Sequence, residues 1–272
     1  MLMTFKILQI ILPIFLFGCN NNLDANLNIT SNIKEKLLRN ETIKLTIHEK
    51  FDSIKVYSSS KLIHNSINNS INNIEFKLEK LRLGRNNINV VSFFENKNKS
   101  KKYSFVVLND KNPEIYTYKI INTYPHDINS YTQGLEFNNG FLYESTGKYG
   151  KSKLKKTKYK TGETLSEINI SNKYFAEGLT IINDKIIQLT WRESIGLVYN
   201  LENLELIDEF YYNKSLEGWG LCNDSSKIFK SDGTEKIWIL DPNTYQEIDN
   251  FEVYTNKGKV NGLNELEWVN GK

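Results

Sequence analysis

Four residues spread along the second half of the chain are the ones whose types could do chemistry: Gln133, Glu177, Trp219 and Asn264. Three stand directly before a Gly-Leu pair, in Gln133-Gly134-Leu135, Glu177-Gly178-Leu179 and Trp219-Gly220-Leu221. The fourth, Asn264-Glu265-Leu266, keeps the frame and replaces the glycine. Together they offer two amides, one indole and a single carboxylate. A lone acid beside aromatic side chains has its charged form disfavoured by desolvation, which suits a proton shuttle near neutral pH. Phe175 lies two residues before Glu177, Tyr131 two before Gln133, and Trp191 follows the strand after Glu177. Aromatics at such places are often plain core; their grouping around one acid points to a pocket. Polar residues at strand starts also serve to hydrogen-bond neighbouring strands, and for Gln133 and Asn264 that alternative stays open.

The elements that must position these residues repeat. The middle residues of the four tripeptides are 44, 42 and 45 apart, the period of a four-stranded propeller blade. Each of the first three is followed by a polar turn (Asn138-Asn139-Gly140, Asn183-Asp184-Lys185, Asn223-Asp224-Ser225) and then an alternating strand. Further turns at Thr161-Gly162, Glu202-Asn203 and Pro242-Asn243 join two more strands per repeat, and helical periodicity is absent. This pattern predicts an all-β fold containing a β-propeller. The first strand of each blade lines the channel, and the glycine lets strands crowd there, so the residues before it ring the channel mouth.

The first half reads differently. Lys6, the apolar run Ile7 to Phe17 and the polar run after Cys19 read as an export signal, too short to span a bilayer as a stop-transfer helix. Leu16-Phe17-Gly18-Cys19 resembles a lipobox, which makes residues 1–19 a lipoprotein-type signal peptide and Cys19 the lipid anchor on a bacterial membrane. An ordinary signal with a chance cysteine is the alternative. Residues 20–34 read as a polar tether. Residues 35–112 hold alternating runs such as Ile43-Leu45-Ile47, Ile88-Val90 and Tyr103-Phe105-Val107, which predict a small immunoglobulin-like β-sandwich serving as a spacer. His48 and His64 stand alone there and make no ligand set.

Composition excludes several classes. Lys+Arg 35 against Asp+Glu 32 gives a net charge of +3, too small a surplus for nucleic-acid binding driven by phosphate neutralisation. With 2 cysteines, one of them the expected anchor, there is no disulfide framework and no cysteine zinc site; Cys222 reads as a small packed residue. A calcium-dependent propeller hydrolase needs several carboxylates converging on the channel, and the ring offers one. No metal and no cofactor are expected.

At Tyr124-Pro125-His126-Asp127, Tyr131-Thr132-Gln133-Gly134-Leu135, Tyr143-Glu144-Ser145-Thr146-Gly147 and Tyr174-Phe175-Ala176-Glu177-Gly178-Leu179-Thr180 the chain resembles the plant-type glutaminyl cyclotransferases. Gln188-Leu189-Thr190-Trp191, Glu217-Gly218-Trp219-Gly220-Leu221, Ser231-Asp232-Gly233 and Leu263-Asn264-Glu265-Leu266-Glu267 continue the series in order. The resemblance covers about Tyr116 to Lys272 and places the propeller domain at residues 113–272. It implies a five-bladed propeller that converts the N-terminal glutamine of peptides or proteins to pyroglutamate and releases ammonia. It also implies that Glu177 is the acid/base, that Gln133 and Asn264 hydrogen-bond the substrate, and that Phe175, Trp191 and Trp219 line an aromatic pocket with Tyr131. Tyr131 stands where the family more often has Phe, and Ala176 where it has Gly.

The resemblance implies another channel Trp, a further blade and a site-completing Lys, for which this sequence has no positions. The C-terminal blades are therefore expected to be missing, the chain being a fragment or an inactive product, and the full-length protein is expected to be a monomer. An alternative reading, from a different class, is a non-catalytic propeller lipoprotein that binds an extracellular peptide or protein.

Overall fold

The computed structural model describes residues 26–67 and 72–272. The signal segment and Cys19 lie outside the described residues. Among the described residues almost all regular structure is β; one 3-10 turn, Leu78–Lys80, interrupts it.

The first unit is a two-layer sandwich. One sheet pairs β1 (Ile29–Ser31), β3 (Thr42–Ile47) and β6 (Asn73–Lys77). The other has the order β2 (Lys36–Leu38), β8 (Lys97–Leu108), β7 (Gly84–Phe94), β4 (Ser53–Ser58), β5 (Lys61–Ile67). Alternation decides which side faces in: Ile43, Leu45 and Ile47 of β3 and Ile88 and Val90 of β7 are buried between the sheets. The expected tether is corrected here. Leu27 and Ile29 are buried in this core, Ile33 packs against it, and β1 pairs antiparallel with β3; in the sequence, polar neighbours leave Leu27 and Ile29 as an alternation of only two. That short strand is part of the sandwich.

Three four-stranded antiparallel sheets follow, each a blade in chain order. The first is β9 (Thr132–Asn138), β10 (Phe141–Thr146), β11 (Lys153–Lys158) and β12 (Glu163–Asn169). The second is β13 (Ala176–Ile182), β14 (Lys185–Thr190), β15 (Ile195–Asn200) and β16 (Leu206–Tyr211). The third is β17 (Leu221–Asn223), β18 (Ile228–Ser231), β19 (Lys236–Leu240) and β20 (Glu247–Glu252). The turns predicted between first and second strands are present: two residues in the first two blades, as at Asn139 (φ 47°) and Gly140 (φ 87°), the doubly left-handed backbone of a two-residue hairpin, and four residues, 224–227, in the third.

Burial falls across a blade. Every residue of β13 is buried, whereas β16 is exposed except for Phe210. The cores lie between blades: Tyr143 and Leu154 of the first pack with Leu179, Ile186 and Leu197 of the second. Ile187, Leu189 and Val198 of the second likewise pack with Leu221, Trp238 and Leu240 of the third. Residues 264–266, expected as the first strand of a fourth repeat, run without strand pairing among the described residues and are largely exposed. The Asn270-Gly271 turn predicted after them is formed, with reciprocal backbone bonds between Val269 and Lys272.

The sandwich touches the third blade. The Arg82 guanidinium donates to both carboxylate oxygens of Asp249 (3.0 and 2.8 Å) and to the Asn250 carbonyl (2.8 Å). The Arg85 N–H donates to Glu252 Oε2 at 2.9 Å.

Candidate active site

The first strands of consecutive blades approach one another at their glycines. A β-carbon on Gly134 would lie 2.6 Å from the Leu179 nitrogen, and one on Gly178 would lie 2.6 Å from the Trp219 carbonyl oxygen. On Gly220 it would overlap the Asn264 carbonyl. The Gly178 N–H donates to the Trp219 carbonyl at 2.7 Å. Each ring residue therefore sits one position before a seam where backbone meets backbone. A serine on the second strand of the preceding blade ties the next ring residue down: the Ser145 hydroxyl donates to the Glu177 carbonyl, and the Ser231 hydroxyl to the Asn264 carbonyl at 2.6 Å. Gln188 Nε2 in turn donates to Ser145 Oγ at 2.7 Å.

Glu177 is 7 % exposed. Burial pushes its carboxyl pKa up to about 8, and the negative charges of Glu217 and Glu193 add to the rise, while the Gln133 side chain works against it. Near neutral pH the group is mostly protonated and within reach of both states. A carboxyl so poised can take a proton from one nitrogen and give one to another.

Aromatic rings gather around Phe175, two residues before the acid. Phe175 packs edge-on against Tyr131 (6.3 Å between centroids), Tyr149 (5.5 Å) and Trp191 (5.5 Å). Gly147 lets the Phe175 ring and Gln133 close in, since a β-carbon there would overlap the ring and meet Gln133 Cγ at 3.0 Å. The Trp219 ring lies over Gly233. Trp191 and Trp219 come from different loops and both donate their indole N–H to Glu217 Oε2, at 2.8 Å each. The structure thus gathers Gln133, Phe175, Glu177, Trp191 and Trp219. Tyr131 stands half outside, 50 % exposed, with Lys148 Nζ 4.6 Å from its ring centre. Asn264 reaches the next channel position through its backbone, and its side chain is exposed.

Residues 89–272 match the profile of the glutamine cyclotransferase family, two thirds of the chain. The chain belongs to that family. A curated relative, the glutaminyl-peptide cyclotransferase of Arabidopsis thaliana, is 37 % identical over 164 residues, 60 % of this chain and 51 % of the relative. Among solved structures, the glutaminyl cyclase of Myxococcus xanthus is similar at 31 % identity with a TM-score of 0.51, over 56 % of this chain and 64 % of that one. The chain spans about half the length of the curated relative it matches.

Sequence reasoning gave no role to Glu217, Tyr149, Arg192 or Glu193. Glu217 was visible only as the start of a motif. Its spacing of two before Trp219 was the available signal, and its bond to Trp191 depends on a tertiary contact. Tyr149 donates to Glu193 Oε1 at 2.9 Å, and the Arg192 guanidinium lies 3.7 Å from the centre of the Trp191 ring. Cys222 is a free, buried thiol whose pKa burial pushes up to about 12, which leaves it unreactive.

Proposed function

We propose that this protein is a glutaminyl-peptide cyclotransferase, converting the N-terminal glutamine of peptides or proteins to pyroglutamate with release of ammonia. The observation that carries the reading is the one acid of the tripeptide ring, Glu177, buried and with its pKa pushed up to about 8, two residues from Phe175, whose ring packs against Trp191. The free α-amine, with a pKa near 7.7–8.0, attacks the side-chain amide carbon and closes a five-membered ring. The ionised form of Glu177 takes one N–H proton from the attacking amine and returns a proton to the departing nitrogen, so that ammonia leaves rather than amide ion. No electrons are exchanged. The aromatic walls exclude water and hold the chain folded for closure, which is the larger part of the task. Gln133 and Asn264 are assigned to hydrogen-bond the substrate; Tyr131 forms the outer rim.

Residues 1–19 are assigned as a lipoprotein signal, with the protein carried on a bacterial membrane through lipidated Cys19 and facing away from the cytoplasm. The deciding experiment is ammonia release from a glutaminyl dipeptide by the chain lacking residues 1–19, and by the same protein with any natural downstream sequence. Turnover abolished by Glu177→Gln supports the reading. Turnover that survives that change sinks the assignment of Glu177, and silence from both proteins sinks the enzyme reading.

A further inference from the structure

We propose that Glu217 is a positioning residue for the cyclisation pocket, a carboxylate clamp whose one oxygen fixes Trp191 and Trp219 across a blade seam. The inference rests on the cyclotransferase reading for the identity of the substrate.

Trp191 follows the second strand of one blade and Trp219 precedes the first strand of the next, yet both indole N–H groups meet Oε2 of Glu217 at 2.8 Å. Its other oxygen lies 3.4 Å from Arg192 Nε, and that guanidinium also stacks on the Trp191 ring. Two indole N–H donors on one oxygen and a guanidinium beside the other fix the position of the carboxylate. The loop that carries it is itself pinned. Lys230, with no exposed surface, donates to the Glu217 carbonyl at 2.8 Å and to Ser215 Oγ at 2.5 Å, and Ser215 Oγ in turn donates to Glu247 Oε1 at 2.5 Å. Glu217 thus sets the distance and tilt between two aromatic walls that belong to separate sheets. Without it, each indole would have to find another acceptor, and the slot between them would lose its fixed width.

The clamp has an electrostatic consequence for the acid. Glu217 and Glu193 act on Glu177 with negative charge, while Glu265 on the following segment is itself pushed up to about 9 by burial and so adds little charge near neutral pH; Arg192 is the neighbouring cation and Tyr149 and Gln133 are polar neighbours. Removing the Glu217 charge therefore lowers the pH at which Glu177 ionises.

The test uses indole N–H resonances of the full chain, assigned by single Trp→Phe changes among its 4 tryptophans. Glu217→Ala is expected to move the Trp191 and Trp219 signals together and leave Trp238 in place, because Trp238 donates to Asp232. Glu217→Gln, which keeps an acceptor and loses the charge, is expected to shift both signals less and to preserve thermal stability. In both variants kcat/KM toward a glutaminyl dipeptide should fall, roughly 100-fold for Glu217→Ala, the cost of misplacing a bound group by about an ångström. In Glu217→Gln the ionisation midpoint of Glu177, read by carboxyl carbon NMR, should move to lower pH. Unmoved indole signals in Glu217→Ala would overturn the clamp, and unchanged kcat/KM would overturn its role. If the wild type shows both clamped indoles yet never turns over a glutaminyl peptide, the cyclotransferase reading fails while the clamp stands.

Discussion

Gly147 and Phe175 occupy each other's space: the Phe175 ring edge fills the volume that a β-carbon on Gly147 would take. The contact joins the loop after β10 to the residue two before Glu177, so the aromatic wall depends on a glycine in the neighbouring blade. Gly147→Ala is expected to push Phe175 and Gln133 apart, raise KM for a glutaminyl peptide by about tenfold and cost about 1–3 kcal/mol of stability. Steady-state kinetics beside a thermal melt would check it; an unchanged KM would remove Phe175 from the substrate wall.

Glu177 makes folding sensitive to alkali. Its folded pKa of about 8 lies above the 4.5 of an unperturbed carboxyl, so between those values the native state holds the proton more tightly than the unfolded chain. Whatever this neutral form contributes is present below pH 4.5 and is lost as pH rises through 8. Glu177→Gln, permanently neutral, should therefore melt close to the wild type at pH 4 and above it at pH 8.5. A Tm difference that stayed flat across this range would contradict the buried, protonated acid.

The seam glycines should be the most costly small residues to replace. Gly178→Ala drives a methyl into the Trp219 carbonyl, and backbone cannot step aside as a side chain would. About 3 kcal/mol is expected, a fall of roughly 6–12 °C in Tm for a chain of this size. Gly140→Ala, with nothing near its β position and only a φ of +87° to resist it, should cost about 1–2 kcal/mol. Equal losses at the two sites would mean that the blades are not in backbone contact.

Lys230 is buried without exposure beside Glu247, and burial pulls its pKa down to about 8. Lys230→Met removes the counter-charge and leaves Glu247 buried with only neutral donors from Ser215 and Lys214. A loss of about 3–5 kcal/mol is expected in denaturant unfolding. A neutral result would show that the carboxyl, not the ammonium, carries the network.

How much of this was legible in the sequence follows from the range of each signal. The blades were readable because the turn Asn138-Asn139-Gly140 and its counterparts recur at a fixed period, and each repeat is local. Gln133, Glu177 and Trp219 share a frame relative to Gly-Leu, so their common place on the ring was readable too. Leu27 and Ile29 were missed because two apolar residues in a polar stretch are below the length at which alternation is informative. Residues 264–266 carry a strand pattern without strand pairing, since pairing is a property of two segments and a pattern belongs to one. Glu217 shows the limit most plainly: its sequence distance to Trp219 is visible, but its bond to Trp191 exists only after two blades have met.

Because the proposed site is assembled at seams, it belongs to no single blade. The acid comes from one sheet, the amide from the sheet before and the indole from the sheet after, each one residue from a glycine contact. A seam can part while the sheets on either side keep every ladder bond. Such a breathing motion would scatter the pocket without melting any secondary structure, so circular dichroism would be blind to the first step of inactivation.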